Sequence, residues 1–286
     1  MRFAFIHERR RRWPVGVMCR VLKVSRSGYY AWRGRKPSRR AEREEELIEK
    51  IRQVHAQSRG LYGYPRAHRA LLVDGEVVSR NTVARLMRKA KIRAKSRRKY
   101  VPRTTDSRHG KPVADNVLKR EFASPAPNRK WLADITYVPT KEGWLYLAAV
   151  LDTFSRKVVG WSMQDHMETD LVSDALKMAL LHRQPAGAKL LHHSDRGSQY
   201  ASDDYQHLLK QHGITASMSN AGDCYDNAMM ESLWATLKCE CVHQQSYATH
   251  EQAEASLFEY IEVFYNRKRL HSSLGYVSPE SFEAAA

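Results

Sequence analysis

Three carboxylates in this chain stand at a spacing that suits one kind of reaction. Asp134 closes the stretch Trp131-Leu-Ala-Asp134, Asp195 closes His192-His-Ser-Asp195, and Glu231 ends the run that begins at Asp226. Sixty residues separate the two aspartates and thirty-five separate Asp195 from Glu231. The first two acids sit at the polar ends of apolar and aromatic runs that read as buried strands, whereas Glu231 falls within a helical pattern. Two strand ends and one helix can bring three carboxylates together. Hard oxygen ligands clustered in this way suit Mg²⁺ or Mn²⁺. Two such ions, about 3.5–4 Å apart, activate an attacking hydroxyl and stabilise the leaving oxygen of an in-line phosphoryl transfer. Any one of these acids alone reads equally well as a turn or surface residue, as Asp195 does before Arg196-Gly197. It is the trio that points to chemistry.

Other residues fall around the trio. Lys238 lies seven residues after Glu231, two helical turns on, so both project from one face and the cation can hold a substrate phosphate. Asn227, four residues before Glu231, shares that face and is a candidate for DNA or for the Glu231 carboxylate. Arg196 and Gln199 are candidates for positioning DNA after Asp195. Of His192 and His193, one is expected in the core and the other at the border of the site, neither as a ligand. Asp152 is expected in a turn or packing role, and Asp226 as the N-cap of the helix carrying Glu231, with Asp223 beside it. Asn266, Arg267, Arg269 and His271 either support the last helix or grip DNA.

The three stretches, with their wording W-L-A-D-I-T-Y, H-S-D-R-G-S-Q-Y and D-N-A-M-M-E-S, resemble the D, D(35)E signature of DDE transposases and retroviral integrases. More narrowly, the chain resembles the second-frame (OrfB) transposases of two-frame bacterial insertion sequences. That resemblance covers nearly its whole length, including residues Tyr265 to Pro279. It implies an RNase H-like fold, with the first acid on the first strand, the second after the fourth strand and the glutamate on a later helix. It also implies two Mg²⁺ (or Mn²⁺) ions on Asp134, Asp195 and Glu231, and a Lys or Arg at the offset of Lys238. The implied activity is cleavage at insertion-sequence ends and strand transfer, by a copy-out route through a branched and then circular element. Implied partners are the terminal repeats, target DNA, further copies of the chain, and a first-frame (OrfA) segment or fusion. Two alternatives stand beside it: an RNase H-like nuclease, and a DNA-binding regulator or inactive remnant.

Charge supports a polyanion partner. Residues 1–120 hold 34 Lys+Arg against 10 Asp+Glu, while the remaining residues hold 14 against 21, so a basic half is joined to a mildly acidic one. Lys and Arg gain affinity by displacing counterions from phosphates. Membrane is the weaker candidate, because no basic stripe is backed by a continuous apolar face and the longest apolar stretch, near Leu145–Leu151, is far too short to span a bilayer. Without an apolar signal core after Arg9–Arg12, the expected location is the cytoplasm, at the nucleoid. Cys19, Cys224, Cys239 and Cys241 fit no disulfide framework or zinc spacing, unlike the His/His/Cys/Cys module of retroviral integrases.

The elements that must position these residues divide the chain into four. Residues 1–40 form a basic helical segment, in which Val15 to Trp32 reads as a helix-turn-helix or a helical hairpin broken at Ser25. Arg33 to Arg43 reads as a basic linker. Residues 44–94 read as a helix-turn-helix-like DNA-binding domain, with Ser79 capping a last helix that offers Arg80, Asn81, Arg85, Arg88 and Lys89 to a groove. Residues 95–128 read as a basic linker whose Arg97 and Arg98 can track a phosphate backbone. Residues 129–286 read as the catalytic core: three antiparallel strands, then alternating helix and strand, then two closing helices over Asn227–Glu240 and His250–Arg267. The expected class is α/β, an RNase H-like mixed sheet preceded by an all-α helix-turn-helix-like region.

Overall fold

The computed structural model describes residues 1–36, 38–95, 112–185, 189–220 and 224–286, so Arg97, Arg98 and Asp223 lie outside the described residues. Three short helices open the chain: α1 (Arg2–Arg9), α2 (Val15–Val21) and α3 (Arg26–Gly34). They close on Ile6, Met18, Cys19 and Tyr29. Next come α4 (Arg39–Gln57), α5 (Tyr64–Val73) and α6 (Arg80–Lys89). Leu47, Ile48, Ile51 and Val54 recur at helical spacing and bury one stripe of α4 in a core shared with Ala67, Leu71, Val83, Leu86 and Met87. Ser79 caps α6, accepting from the Thr82 N–H at 3.2 Å.

Helix α4 starts at Arg39, earlier than the expected Glu44, so much of the stretch expected as a basic linker is helical. Ser38 caps α4 by accepting from the Ala41 N–H at 3.2 Å. Its arginines then find acids one turn on, Arg40 with Glu44 and Arg43 with Glu46.

The catalytic region is built on a five-stranded sheet in the order β3-β2-β1-β4-β5. Strands β1 (Lys130–Thr140), β2 (Gly143–Asp152) and β3 (Val158–Gln164) pair antiparallel. Helix α7 (Thr169–Arg183) leads to β4 (Leu191–Ser194) and α8 (Asp203–Gln211) leads to β5 (Thr215–Met218), both strands parallel to β1. Strand alternation sends Leu132, Val138, Leu145 and Leu147 into the core shared with α9 (Ala228–Glu240) and α10 (His250–Phe258). The intervening Trp131, Ala133, Ala148 and Val150 join Leu171, Ala175 and Leu176 of α7 on the other face. At Gly160 of β3 an added Cβ would lie 2.2 Å from the Ala175 carbonyl oxygen, so glycine is what lets α7 lie this close. A mixed sheet covered on both faces, behind an all-α region, is the integrase or RNase H-like arrangement.

Past α10 the chain departs from the single α-helix expected over His250–Arg267. It continues as π-helical backbone, Glu259–Tyr265, and closes with α11 (Pro279–Ala284). The Asn266 N–H reaches five residues back to the Ile261 carbonyl at 3.0 Å. Its side chain clamps Val158 of β3 through both backbone groups, at 3.0 and 2.9 Å. The wider turn lets Tyr260, Ile261, Phe264 and Tyr265 all be buried.

The second half of the expected linker over 95–128 is docked rather than free. Leu118 is buried, and Ser217 of β5 accepts from the Val117 and Leu118 N–H groups at 2.9 and 3.2 Å. One buried leucine and paired backbone groups outweigh a polar composition. The helical unit α4–α6 is also fixed to the core. The Tyr62 hydroxyl donates to the Lys268 carbonyl (3.1 Å) and accepts from the Leu270 N–H (2.9 Å). Glu240, at the end of α9, takes a bidentate contact from Arg269, both bonds at 2.7 Å, with Arg66 of α5 at 3.3 Å and the Tyr260 hydroxyl at 2.9 Å. Asn266, Arg269 and His271 are buried, so this cluster supports the fold, whereas Arg267 is exposed and pairs with Glu280. No helix among the described residues is long and apolar enough to cross a membrane.

Candidate active site

The pairing of β4 on β1 sets the geometry. Trp131 stands opposite His192 and Leu132 opposite His193, and this register carried two residues on brings Asp195 beside Asp134. Asp134 lies on the same face of β1 as Leu132 and Val138, toward α9. There one carboxylate oxygen accepts from the Ile135 N–H and the other from the indole N–H of Trp234, each at 2.9 Å. Asp195 is held by the Gly197 N–H at 2.9 Å. A Cβ on Gly197 would lie 3.0 Å from that same carboxylate oxygen, so glycine keeps the loop tight around the acid.

Burial and the neighbouring Asp195 push the Asp134 carboxyl well above the usual carboxylate range; the Ile135 N–H and Trp234 oppose this, and Glu231 adds to it. Asp195 and, more weakly, Glu231 are thus near enough to Asp134 to act on its charge. Glu231 stands in the first turn of α9, largely exposed, and the burial it has raises its carboxyl. Among the described residues only the exposed trio His166, Glu168 and Asp170 has its ligand atoms all within 4.8 Å of one another, so the three acids stand further apart than that. Nothing else marks the His166 trio as a site.

Lys238 points back toward Asp134. Its ammonium lies 4.6 Å from the centroid of the Tyr137 ring; burial lowers its proton affinity and the Asp134 charge raises it. His192 and His193 are both buried and both engaged by hydroxyls: His192 with Tyr205 at 3.0 Å, His193 with Ser217 and Ser219 at 2.9 and 3.1 Å. With the imidazoles occupied, the donors left facing the site are carboxylate oxygens. Arg196 donates to the Ser219 carbonyl at 2.6 Å and Gln199 to the Met167 carbonyl at 2.9 Å, so both brace loops around Asp195.

Several expected roles change. Asn227 is buried and donates to the Ala133 carbonyl at 3.2 Å, which fixes the start of α9 on β1 and leaves no exposed amide for DNA. Asp226 is no N-cap: it is buried within a 3₁₀ turn, Cys224–Asn227, and takes Asn116, the Asn220 N–H and Arg120 at 2.8, 2.9 and 2.9 Å. Asp152 keeps its expected turn role, buried and accepting from the Asn128 and Phe154 N–H groups at 2.7 and 2.9 Å. On α6, Arg85 and Lys89 pair with Glu44 at 2.9 and 2.8 Å, and Arg80 lies over the Tyr64 ring. Arg80, Asn81 and Arg88 are exposed.

Two site residues were not singled out by sequence reasoning. Trp234 orients Asp134, and its only signal is a position three residues after Glu231 on the same helix. Tyr200 is buried with no hydrogen-bond partner for its hydroxyl among the described residues. Burial first, then Tyr205, Asp134 and Asp195, raise its phenol well above the usual value, and its ring packs against His192 and Tyr205.

Comparison with known proteins agrees with this architecture. Residues 124–224 and 212–279 match Integrase core domain families, and residues 42–100 match an HTH-like domain. The chain is 43% identical over 285 residues to the transposase InsF for insertion sequence IS3A of Escherichia coli K12, covering 99% of this chain and 98% of that protein. It is 46% identical over 265 residues to an uncharacterized 31 kDa protein of insertion element IS600 of Shigella sonnei, covering 93% and 97%. Among solved structures, the intasome of simian T-cell lymphotropic virus with a PP2A regulatory subunit aligns at 16% identity and a TM-score of 0.48, over 82% of this chain and 74% of that chain. The integrase catalytic core domain of HTLV-2 in complex with magnesium aligns at 16% identity and a TM-score of 0.40, over 56% and 99%. Relatedness over nearly its full length therefore makes this chain a member of the InsF (OrfB-type) transposase family of IS3-like insertion sequences, enzymes of DNA transposition with an integrase core.

Proposed function

We propose that Asp134, Asp195 and Glu231 are the catalytic carboxylates of this transposase and that together they hold two Mg²⁺ or Mn²⁺ ions. The observation that carries this reading is the adjacency of Asp134 and Asp195 on neighbouring strands, close enough that the Asp195 charge raises the Asp134 carboxyl, with Glu231 acting in the same direction from α9. When bound, the ions supply Lewis-acid charge to the attacking and leaving oxygens of a phosphodiester. The chain's own part is positioning. Trp234 and the Ile135 N–H fix the Asp134 carboxylate, the Gly197 N–H fixes Asp195, and Asn227 seats α9 so that Glu231 enters from the helix side. Lys238, held over Tyr137 on the Asp134 side, is placed to neutralise a DNA phosphate.

Two transfers follow at this one site. In the first, water attacks the phosphodiester at the element's end, and the element strand leaves with a free 3′ hydroxyl. In the second, that hydroxyl attacks another phosphodiester; its proton is lost to solvent, the new P–O bond replaces the broken one, and no covalent enzyme intermediate forms. Arg80, Asn81 and Arg88 of α6 bear on the terminal repeats. Joining two ends needs at least two protomers, and a first-frame segment contributes to finding those ends. Glu231→Gln keeps the helix and the charge-independent contacts. It is expected to retain DNA binding while losing both cleavage and joining by at least about a thousandfold. A Glu231→Gln protein that still joins strands would remove Glu231 from the assignment.

A further inference from the structure

We propose that α1–α3 form a second DNA-reading unit, a helix-turn-helix whose recognition helix is α3, distinct from the HTH-like domain of residues 42–100. The inference rests on the reading of this chain as a DNA transposase and adds a binding surface to it.

The unit folds on itself. Its buried residues, Ile6, Met18, Cys19 and Tyr29, form a core separate from the two that serve the rest of the chain, with Phe3, Val15, Leu22 and Val24 packed around them. Four residues, 22–25, join α2 to α3. Lys23 takes a left-handed conformation (φ 51°), and the Val24 N–H turns back to the Cys19 carbonyl at 3.0 Å. Ser25 then starts α3 by accepting from the Gly28 N–H at 3.0 Å. A Cβ on Gly28 would stand 2.6 Å from the Ser25 hydroxyl and 3.2 Å from the Phe3 ring, so glycine is what allows α1 to lie across α3. A first helix, a tight turn and a second helix braced by a third is the geometry that presents one helix to a DNA groove.

The face of α3 turned outward has the chemistry for that. Arg26, Ser27, Tyr30 and Arg33, at helical positions i, i+1, i+4 and i+7, are exposed, while Gly28, Tyr29 and Trp32 lie on the opposite side against Phe3. Residues 1–36 contain eleven Lys and Arg against one acid, Glu8. Among the described residues, none of these cations is in an ion pair with a carboxylate. The contrast with α6 is direct, since Glu44 there takes up Arg85 and Lys89. A cluster of like charges with no internal counterion repels itself until a polyanion replaces its counterions. The outward face of α3 lacks the continuous apolar stripe that an anionic membrane would need. Duplex DNA satisfies both the charge and the shape.

The connection to α4 sets where that DNA lies. Residues 35–38 bridge Gly34 and Arg39, a span of at most about 18 Å when fully extended. That is roughly half of one turn of B-DNA, and the first turns of α4 meet α6 through Glu44 with Arg85 and Lys89, so α3 is tethered where it can engage a stretch of duplex next to the one that α6 faces.

Hydroxyl-radical footprinting and fluorescence anisotropy of the full chain on a duplex of about six helical turns, carrying the element's own end, test this. Wild type is expected to protect two neighbouring stretches. The double variant Arg26→Gln, Arg33→Gln, altered only at exposed positions, is expected to lose one of them. Its affinity falls about tenfold and its log K against log[salt] slope becomes shallower by about two. Arg88→Gln on α6 is expected to weaken the other stretch and spare this one. The inference is overturned if the double variant protects and binds as wild type does, or if wild type protects a single stretch lost only in Arg88→Gln. Wild type that neither protects nor joins this DNA would overturn the transposase reading as well.

Discussion

At the residue scale, the adjacency of Asp134 and Asp195 has a consequence for stability as well as for chemistry. Asp195→Asn removes one of two adjacent charges, and the amide oxygen still accepts from Gly197. In metal-free buffer near pH 8 this variant is expected to melt about 2–4 °C above wild type, equivalent to roughly 1 kcal/mol of relieved repulsion. Adding Mg²⁺ should raise the melting temperature of wild type and have little effect on the variant, since ligands stabilise only the state that binds them. A variant that melts lower than wild type and gains equally from Mg²⁺ would contradict the coupling of Asp134 and Asp195. The acids themselves stand out in the sequence because their spacing is local information on three short stretches. Trp234 does not, because an indole at a helical position looks like ordinary core until the acid it bonds, Asp134, is in place, and Tyr200 reads as core for the same reason. Asp226 misleads for the same reason: a short acid before a helix has the local signature of a cap, yet its partners Asn116 and Arg120 are more than a hundred residues away.

At the element scale, α9 links the two halves of the molecule. Its first turn carries Glu231, and its last residue, Glu240, anchors both Arg269 and Arg66 of α5. Burial would raise the Glu240 carboxyl, but the hydrogen bonds and charges of Arg269 and Arg66 outweigh it and hold it below the usual range. Arg269→Met leaves that carboxylate buried with a single contact from Arg66 at 3.3 Å in place of the bidentate pair, and is expected to cost about 3–5 kcal/mol in urea unfolding. Arg66→Met leaves the bidentate pair intact and is expected to cost no more than about 1 kcal/mol. Equal losses would show that the network does not centre on Arg269. Periodicity reveals α4, α7 and the β1–β2 hairpin before any coordinates, since each shows a buried stripe or a strict alternation. It cannot reveal the docked stretch around Leu118, where one buried leucine in a polar segment has no period. The π-helical turn after α10 is equally silent, because it exists to let Asn266 reach β3, a tertiary demand.

At the scale of the whole molecule, three imidazoles are kept neutral by the fold. Burial lowers His192 to about 3 and His193 to about 4, and burial together with Arg269, Arg66 and Arg156 lowers His271 to about 2. The unfolded chain takes up these protons near pH 6.5 and the folded chain does not, so stability falls as pH drops below about 6.5. Each group contributes up to about 1.4 kcal/mol per pH unit, and Asp134, raised in the folded state, opposes part of it. Melting temperature is expected to drop progressively from pH 7 to pH 5, and His271→Gln is expected to flatten that slope by about one proton. A flat profile in wild type would contradict the buried neutral imidazoles. The division into a basic and an acidic half is plain from composition. That the helical unit is fixed to the catalytic core through Tyr62 and Arg66 is not, because both ends of that contact lie some two hundred residues apart.

Whether Asp134, Asp195 and Glu231 together perform strand transfer is decided by a joining assay. The substrate is pre-nicked DNA carrying the element's own end, the cation is Mn²⁺, and wild type is compared with Asp195→Asn at equal DNA occupancy. Joined products are expected with wild type, and none above background with Asp195→Asn. Joined products at wild-type yield from Asp195→Asn would contradict the joint role of the three acids.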